Sequence, residues 1–204
     1  MSKYEDMSDD YLRKTYVPDA YQKSIFSVDY EILKKKGIKV LSFDIDGTIA
    51  KLRNHHPPKE TISLFVNLKN AGFEIFLLSN THSDHRAENF GEILGVDCIY
   101  YAHKPCIDGL EEIRDRYFQK YHTQLQKEQM AHIGNSILSD VASGNTFGAV
   151  TVLVRHKGTG SKITANKGRR LRHELKERGI WRKHHKYEDD DQYYQLGEVP
   201  PYKR

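Results

Sequence analysis

Two aspartates one residue apart, Asp44 and Asp46, follow a short apolar run, Val40–Phe43, and precede Gly47. In an extended chain their side chains point to opposite faces. At a strand-to-loop junction the chain curls, and both can then face one site. Gly47 permits the curl because glycine tolerates positive φ. One carboxylate so placed can attack phosphorus while the other moves a proton to the leaving group. An acidic turn built on Asp-Gly has the same local sequence, so the pair alone does not decide. Three further groups bear on it. Ser79 and Asn80 are small hydrogen-bonding residues suited to phosphate oxygens. Lys104, fixed in an extended context by Pro105, is a cation able to offset phosphoryl charge. Gly134, Asn135, Ser136 and Asp140 form an acid and amide cluster suited to a metal ion.

A scaffold must gather these groups. Apolar runs at 40–43, 74–78, 98–101, 130–133 and 149–154 read as strands. Between and after them, helical periods and glycine stops predict helices over 61–70, 83–94, 107–121, 139–147 and 163–178, with another helix-like stretch over 21–36. The alternation predicts an α/β fold, a three-layer doubly wound parallel sheet of five strands. Ligands in such sheets bind beyond the carboxyl ends of the strands. Four consecutive strands end in the four groups above. The expected organisation is an N-terminal extension with its helix over 1–37, the sheet-forming domain with a C-terminal basic helix over 38–183, and a disordered tail over 184–204. That tail has no apolar period and clusters Asp189, Asp190 and Asp191.

Of the 204 residues, 38% are hydrophobic, enough for one core of ordinary size. No apolar run approaches the roughly 18 residues a membrane span needs. The first ten residues are polar and acidic, unlike a secretory leader. Two cysteines, Cys98 and Cys106, are too few for a disulfide scaffold or zinc site and read as reduced thiols of a cytoplasmic protein. The formal charge of +4 is unevenly spread: residues 155–186 hold twelve Lys/Arg against two acids, or +10, leaving −6 elsewhere. That segment points to an anionic partner, whether a membrane face, RNA or ribosome, and to a peripheral membrane position if lipid. Residues 158–162 lack phosphate-loop spacing and read as a flexible basic loop. His55 and His56 read as solvated loop residues that, lying in the expected flap, could touch substrate; Arg86 reads as a solvated helical arginine, or, near the start of the helix after Ser79, as one that could reach a phosphate; Trp181 reads as either an interfacial anchor or a packing residue.

The set of strand-end groups resembles the haloacid dehalogenase (HAD) superfamily of aspartate-nucleophile phosphatases over roughly residues 16–180. The lead-in Tyr16-Val17-Pro18-Asp19, the step Leu78-Ser79-Asn80, His103-Lys104-Pro105 and the run 139–145 resemble the YqeG-like phosphatases of subfamily IIIA. That group includes mitochondrial phosphatidylglycerophosphate phosphatases. The resemblance implies Asp44 as nucleophile and Asp46 as general acid and then base. It also implies Ser79 and the backbone near Asn80 as phosphoryl-binding groups, and Lys104 as their counter-charge. Mg²⁺ would rest on Asp44, the carbonyl of Asp46 and the Asn135–Asp140 loop. Phosphoryl transfer asks chiefly for positioning and charge neutralisation, and this set supplies both.

Relatives usually carry Gly-Asp where this chain has Gly134-Asn135. At an effective dielectric near 20, one charge ~4 Å away is worth about 4 kcal/mol, and a third of that weakens Mg²⁺ roughly tenfold. Two readings follow: a Mg²⁺-dependent phosphomonoesterase, or a catalytically weak scaffold that binds RNA, ribosome or membrane. The gaps Thr48 to Ser79 and Ser79 to Lys104, 31 and 25 residues, leave no room for a large cap domain. The expected site is open, with residues 50–58 as a flap. It suits a phosphate presented on something large: a lipid headgroup in a bilayer, a nucleic-acid end or a protein.

Overall fold

The computed structural model describes residues 4, 6–52, 54–82, 84–155, 162–181 and 193–198. In chain order its elements are α1 (Asp9–Tyr16), β1 (Ala20–Gln22), α2 (Tyr30–Lys35), β2 (Val40–Phe43), α3 (Lys59–Asn70), β3 (Glu74–Leu78), α4 (Asp84–Leu94), β4 (Asp97–Ile99), α5 (Asp108–Tyr121), β5 (Met130–Gly134), α6 (Ala142–Phe147), β6 (Val150–Val154) and α7 (Lys162–Glu177). All strand pairs are parallel and the sheet order is β1-β6-β5-β2-β3-β4. The sheet therefore has six strands where the apolar runs predict five.

The period-2 alternation of each strand divides the core between the two faces of the sheet. Leu41, Phe43, Ile75, Leu77, Ala131 and Ile133 pack with Phe65 and Leu68 of α3 and Phe90 and Leu94 of α4. Val40, Phe76, Leu78 and Met130 face the other way, onto Leu110 and Ile113 of α5. A third cluster joins Leu12 of α1, Leu153 of β6, Leu171 and Leu175 of α7, and Trp181. Trp181 is thus a packing residue, 1% exposed.

Residues 21–36 are not one helix. The Asp29 side chain accepts the Ile32 amide hydrogen and starts α2 at Tyr30, as an N-cap does. Upstream, Asp19 accepts hydrogen bonds from the Thr151 amide and hydroxyl, which seats β1 beside β6. The tail also departs from expectation within 193–198. Tyr194 is buried, pairs its backbone with Tyr21 and donates its hydroxyl to the Pro18 carbonyl at 2.7 Å. The remainder of the tail lies outside the described residues, as do residues 156–161 and 182–186 of the basic segment.

In α7 and just after it, two basic side chains turn inward. The Arg172 guanidinium lies 5.1 Å from the Tyr21 ring centre and donates to its hydroxyl at 3.1 Å. Arg178, just beyond the helix, donates to the Met7 and Tyr4 carbonyls and pairs with Asp9. Arg169 and Arg170 remain exposed.

Candidate active site

The parallel register sets β2 between β3 and β5, so three of the four groups leave adjacent strands at one edge. The Asp44 amide still donates to Ile133 of β5 at 2.9 Å, continuing the ladder. The chain then curls: Gly47 has φ +83°, and the amides of Ile49 and Ala50 both donate to the Ile45 carbonyl. Ile45 is buried, which leaves Asp44 and Asp46 turned toward the site on either side of it.

Lys104 arrives from the loop after β4. Tyr101 and His103 sit at φ 52° and 49°, a left-handed backbone that non-glycine residues adopt at a cost. Asn80 holds the turn from the other side. Its amide donates to the Lys104 carbonyl at 2.9 Å and its carbonyl oxygen accepts the Lys104 N–H at 2.8 Å. The Asn80 side chain is therefore a clamp on the lysine loop, while Ser79, 1% exposed, accepts the Thr81 N–H on its hydroxyl. The Lys104 ammonium lies 3.0 Å from Asp44 Oδ1 and 2.7 Å from Asp140 Oδ1, and donates to the Leu78 carbonyl at 2.6 Å.

Asp140 reaches this point because residue 134 is glycine. A Cβ there would fall 2.3–2.4 Å from the Asp140 carboxyl group. The other Asp140 oxygen accepts the Ser136 N–H at 2.9 Å. Grouped with the metal ligands by its sequence position, Asp140 also pairs with Lys104 in the structure. His132 backs it: Nε2 lies 3.5 Å from Asp140, and Nδ1 is 2.9 Å from the Ser42 hydroxyl. Burial opposes charging of this imidazole and pushes it down from its ordinary value.

One buried cation thus serves two buried carboxylates. Burial raises Asp44, Lys104 pulls it back and Asp140 raises it again, to about 6. Burial acts the same way on Asp140, but Lys104 and His132 hold it well below the usual carboxylate range. The Thr48 hydroxyl donates to the second Asp44 oxygen at 2.9 Å. Asp46 stands at the mouth, both its oxygens gripped by Arg86 at 2.7 and 3.1 Å. His132 is the contact that sequence spacing does not announce, and Arg86, placed near the start of the helix after Ser79, meets the Asp46 carboxylate. Thr48, inside the Asp-x-Asp-Gly-Thr run, carries a local signal.

The Asn135 side chain and the Asp46 backbone carbonyl meet at this edge. The Asn135 amide nitrogen lies 2.6 Å from the Asp46 backbone carbonyl oxygen. Mg²⁺ is held by one or two carboxylates with substrate phosphate and retained waters, and a carboxylate, a carbonyl and an amide oxygen fit that chemistry. Among the described residues no three His, Cys, Asp or Glu side chains gather at one point.

The fold and this edge define a phosphatase of the HAD type, with an aspartate pair, a buried lysine and no inserted cap between β2 and β4. The family model described as mitochondrial PGP phosphatase matches residues 11–158, and the chain belongs to that family. It is 32% identical over 143 residues to the Bacillus subtilis (strain 168) protein named Probable phosphatase YqeG, covering 70% of this chain and 79% of that one. It is 24% identical over 151 residues to Phosphatidylglycerophosphate phosphatase 1, chloroplastic/mitochondrial, of Arabidopsis thaliana, covering 69% of this chain and 41% of that protein. Among solved structures, the cobalt-bound deoxy-D-mannose-octulosonate 8-phosphate phosphatase of Haemophilus influenzae overlays with a TM-score of 0.47 at 16% identity, over 72% of this chain and 92% of that one. A HAD superfamily (subfamily III A) hydrolase from Legionella pneumophila gives 0.43 at 17% identity, over 70% and 91%. The family assignment rests on the sequence matches.

Proposed function

We propose that this phosphatase hydrolyses a phosphomonoester on a large or surface-presented molecule, phosphatidylglycerophosphate foremost, through a phosphoryl group carried on Asp44. The observation that carries the reading is the Lys104 ammonium lodged between Asp44 and Asp140, beside the open edge where Asp46 stands. An Asp44 oxygen attacks phosphorus, the bond to the leaving oxygen breaks, and Asp46 gives that oxygen its proton. Water then attacks the same phosphorus and gives a proton to Asp46. The phosphorus–oxygen bond to Asp44 breaks, releasing phosphate and restoring the carboxylate. Lys104, the Ser79 hydroxyl and backbone amides after β3 receive the phosphoryl oxygens.

The residues that would hold Mg²⁺ are Asp44, the Asp46 carbonyl and Asn135. When bound, the ion supplies positive charge that lets an anionic nucleophile approach an anionic phosphate. Asn135 brings an oxygen without a charge, so Asn135→Asp should tighten Mg²⁺ by roughly tenfold. Calorimetric titration of Mg²⁺ into both proteins checks this; equal affinities contradict it.

Two features support a surface-presented substrate. The β2–β3 and β3–β4 connections hold α3 and α4 with no inserted domain among the described residues, which leaves the edge open. A lipid phosphate would be met by peripheral contact; among the described residues no helix is long and apolar enough to cross a membrane. Exposed Arg169 and Arg170 supply charge for that contact. The named lipid comes from the family description and the Arabidopsis relative's name. Phosphate release from phosphatidylglycerophosphate in anionic vesicles should exceed release from a soluble glycerol phosphate and should fall with added salt. Faster release from the soluble ester, unaffected by salt, contradicts the lipid reading. Binding of a short RNA without vesicle binding favours a nucleic-acid phosphate instead.

A further inference from the structure

Asp46 does not stand free at the mouth. Arg86, in the first turn of α4, donates from both terminal nitrogens to both Asp46 oxygens, at 2.7 and 3.1 Å. Its third nitrogen, Nε, donates to the Asn54 backbone carbonyl at 2.7 Å. The guanidinium lies 5.1 Å from the Phe90 ring centre, one turn along α4. Its side chain is 10% exposed and that of Asp46 26%. A loose surface pair contributes little. This one is a planar fork on a carboxylate, packed on an aromatic ring and tied to a third group, and such geometry fixes orientation as well as charge. A few residues on, Asn89 donates to the His55 carbonyl at 2.6 Å, so α4 holds the flap at two points.

We infer that Arg86 is the positioning residue for Asp46: it sets the plane of the acid–base carboxylate and ties that orientation to the flap through Asn54. The inference rests on the reading of Asp46 as the proton donor to the leaving group. Each guanidinium nitrogen of Arg86 bonds Asp46 or the Asn54 carbonyl, so the residue acts through Asp46. Its two bonds to Asp46 leave the carboxylate no rotation except by release of the fork, and the Nε bond ties the guanidinium to the Asn54 carbonyl in the loop before α3. A proton donor misplaced by an ångström loses most of its effect, because proton transfer demands hydrogen-bond reach in the transition state.

The consequence is a selective defect. A leaving group that departs readily as an anion needs little protonation, and one that departs poorly needs it fully. The test compares kcat/KM for 4-nitrophenyl phosphate and phenyl phosphate in the wild type, Asp46→Asn, Arg86→Gln and Arg86→Lys. Asp46→Asn should lose at least about tenfold more on phenyl phosphate than on the nitrophenyl ester. Arg86→Gln should show the same selectivity. Arg86→Lys keeps the charge and the stem on Phe90 without the fork, and should fall between. Equal loss on both esters in Arg86→Gln, or a rise in KM alone, overturns the positioning role while Asp46→Asn remains selective. If Asp46→Asn is itself unselective, the acid role of Asp46 fails and the inference with it. Thermal midpoints of the variants separate both results from simple unfolding.

Discussion

Asp44→Asn should reduce turnover at least about a thousandfold while leaving the protein as stable as the wild type or more so. The amide matches the carboxylate in shape and still offers one oxygen to Lys104 or Thr48, but its oxygen cannot form a stable bond to phosphorus. The stability half follows from linkage. Burial and Asp140 raise Asp44 from its unfolded value to about 6 in the folded protein. The folded state therefore binds that proton more tightly than the unfolded chain. Ionising Asp44 opposes folding above about pH 6, and the opposition is absent at pH well below the unfolded value. Asparagine removes the opposition at neutral pH. Turnover of an aryl phosphate with Mg²⁺ and a thermal melt at pH 7.5 check both halves. Substantial residual turnover, or a large fall in melting temperature, contradicts the role given to Asp44.

Lys104→Met should be inactive and also destabilised, by about 3–5 kcal/mol, because it strands two buried carboxylates against each other. Lys104 is 6% exposed, Asp44 8% and Asp140 3%, so water does not substitute for the lost cation. A domain of this kind has some 5–15 kcal/mol in total, so the change is visible as a large drop in melting temperature. Adding Asp140→Asn removes one of the stranded charges and should recover much of the stability. It should recover no activity, since the phosphoryl group still lacks its counter-charge. If the single variant melts like the wild type, the three groups are not the coupled unit described. If the double variant melts no higher than the single one, Asp140 is not the partner of Lys104.

The sequence and the structure agree where local signals and topology reinforce each other. The apolar runs at 40–43, 74–78 and 130–133 became central strands, and parallel pairing carried Asp44, Ser79 and Gly134 to one edge. The short β1 escaped notice because three residues carry no period, and the apolar spacing of 21–36 mimics a helix. What seats β1 is Asp19 on Thr151, a pairing across 132 residues. Tyr194 is similar: an aromatic in a polar stretch becomes buried only because Tyr21 and Pro18 lie opposite it. In the site, residues that end strands were legible and residues that reach in from elsewhere were not. Arg86 extends from α4, where spacing gives the ordinary picture of a solvated helical arginine. His132 lies in a buried strand, where a lone histidine among apolar neighbours announces no partner. Asp140 was visible as a candidate, but its allegiance to Lys104 follows from Gly134, whose missing Cβ opens the path.

The central claim is that the phosphoryl group passes through Asp44. Quench the enzyme in acid during turnover with Mg²⁺ and an aryl phosphate, digest it, and weigh the peptide that contains Asp44. The experiment gains sensitivity in Asp46→Asn, where the group that activates water is missing and the carried phosphoryl accumulates. The account predicts the mass of one added phosphoryl group on that peptide, localised to Asp44 by fragmentation and lost on neutralisation or in Asp44→Asn. Turnover with no modified peptide, or with the phosphoryl group on another residue, would contradict it.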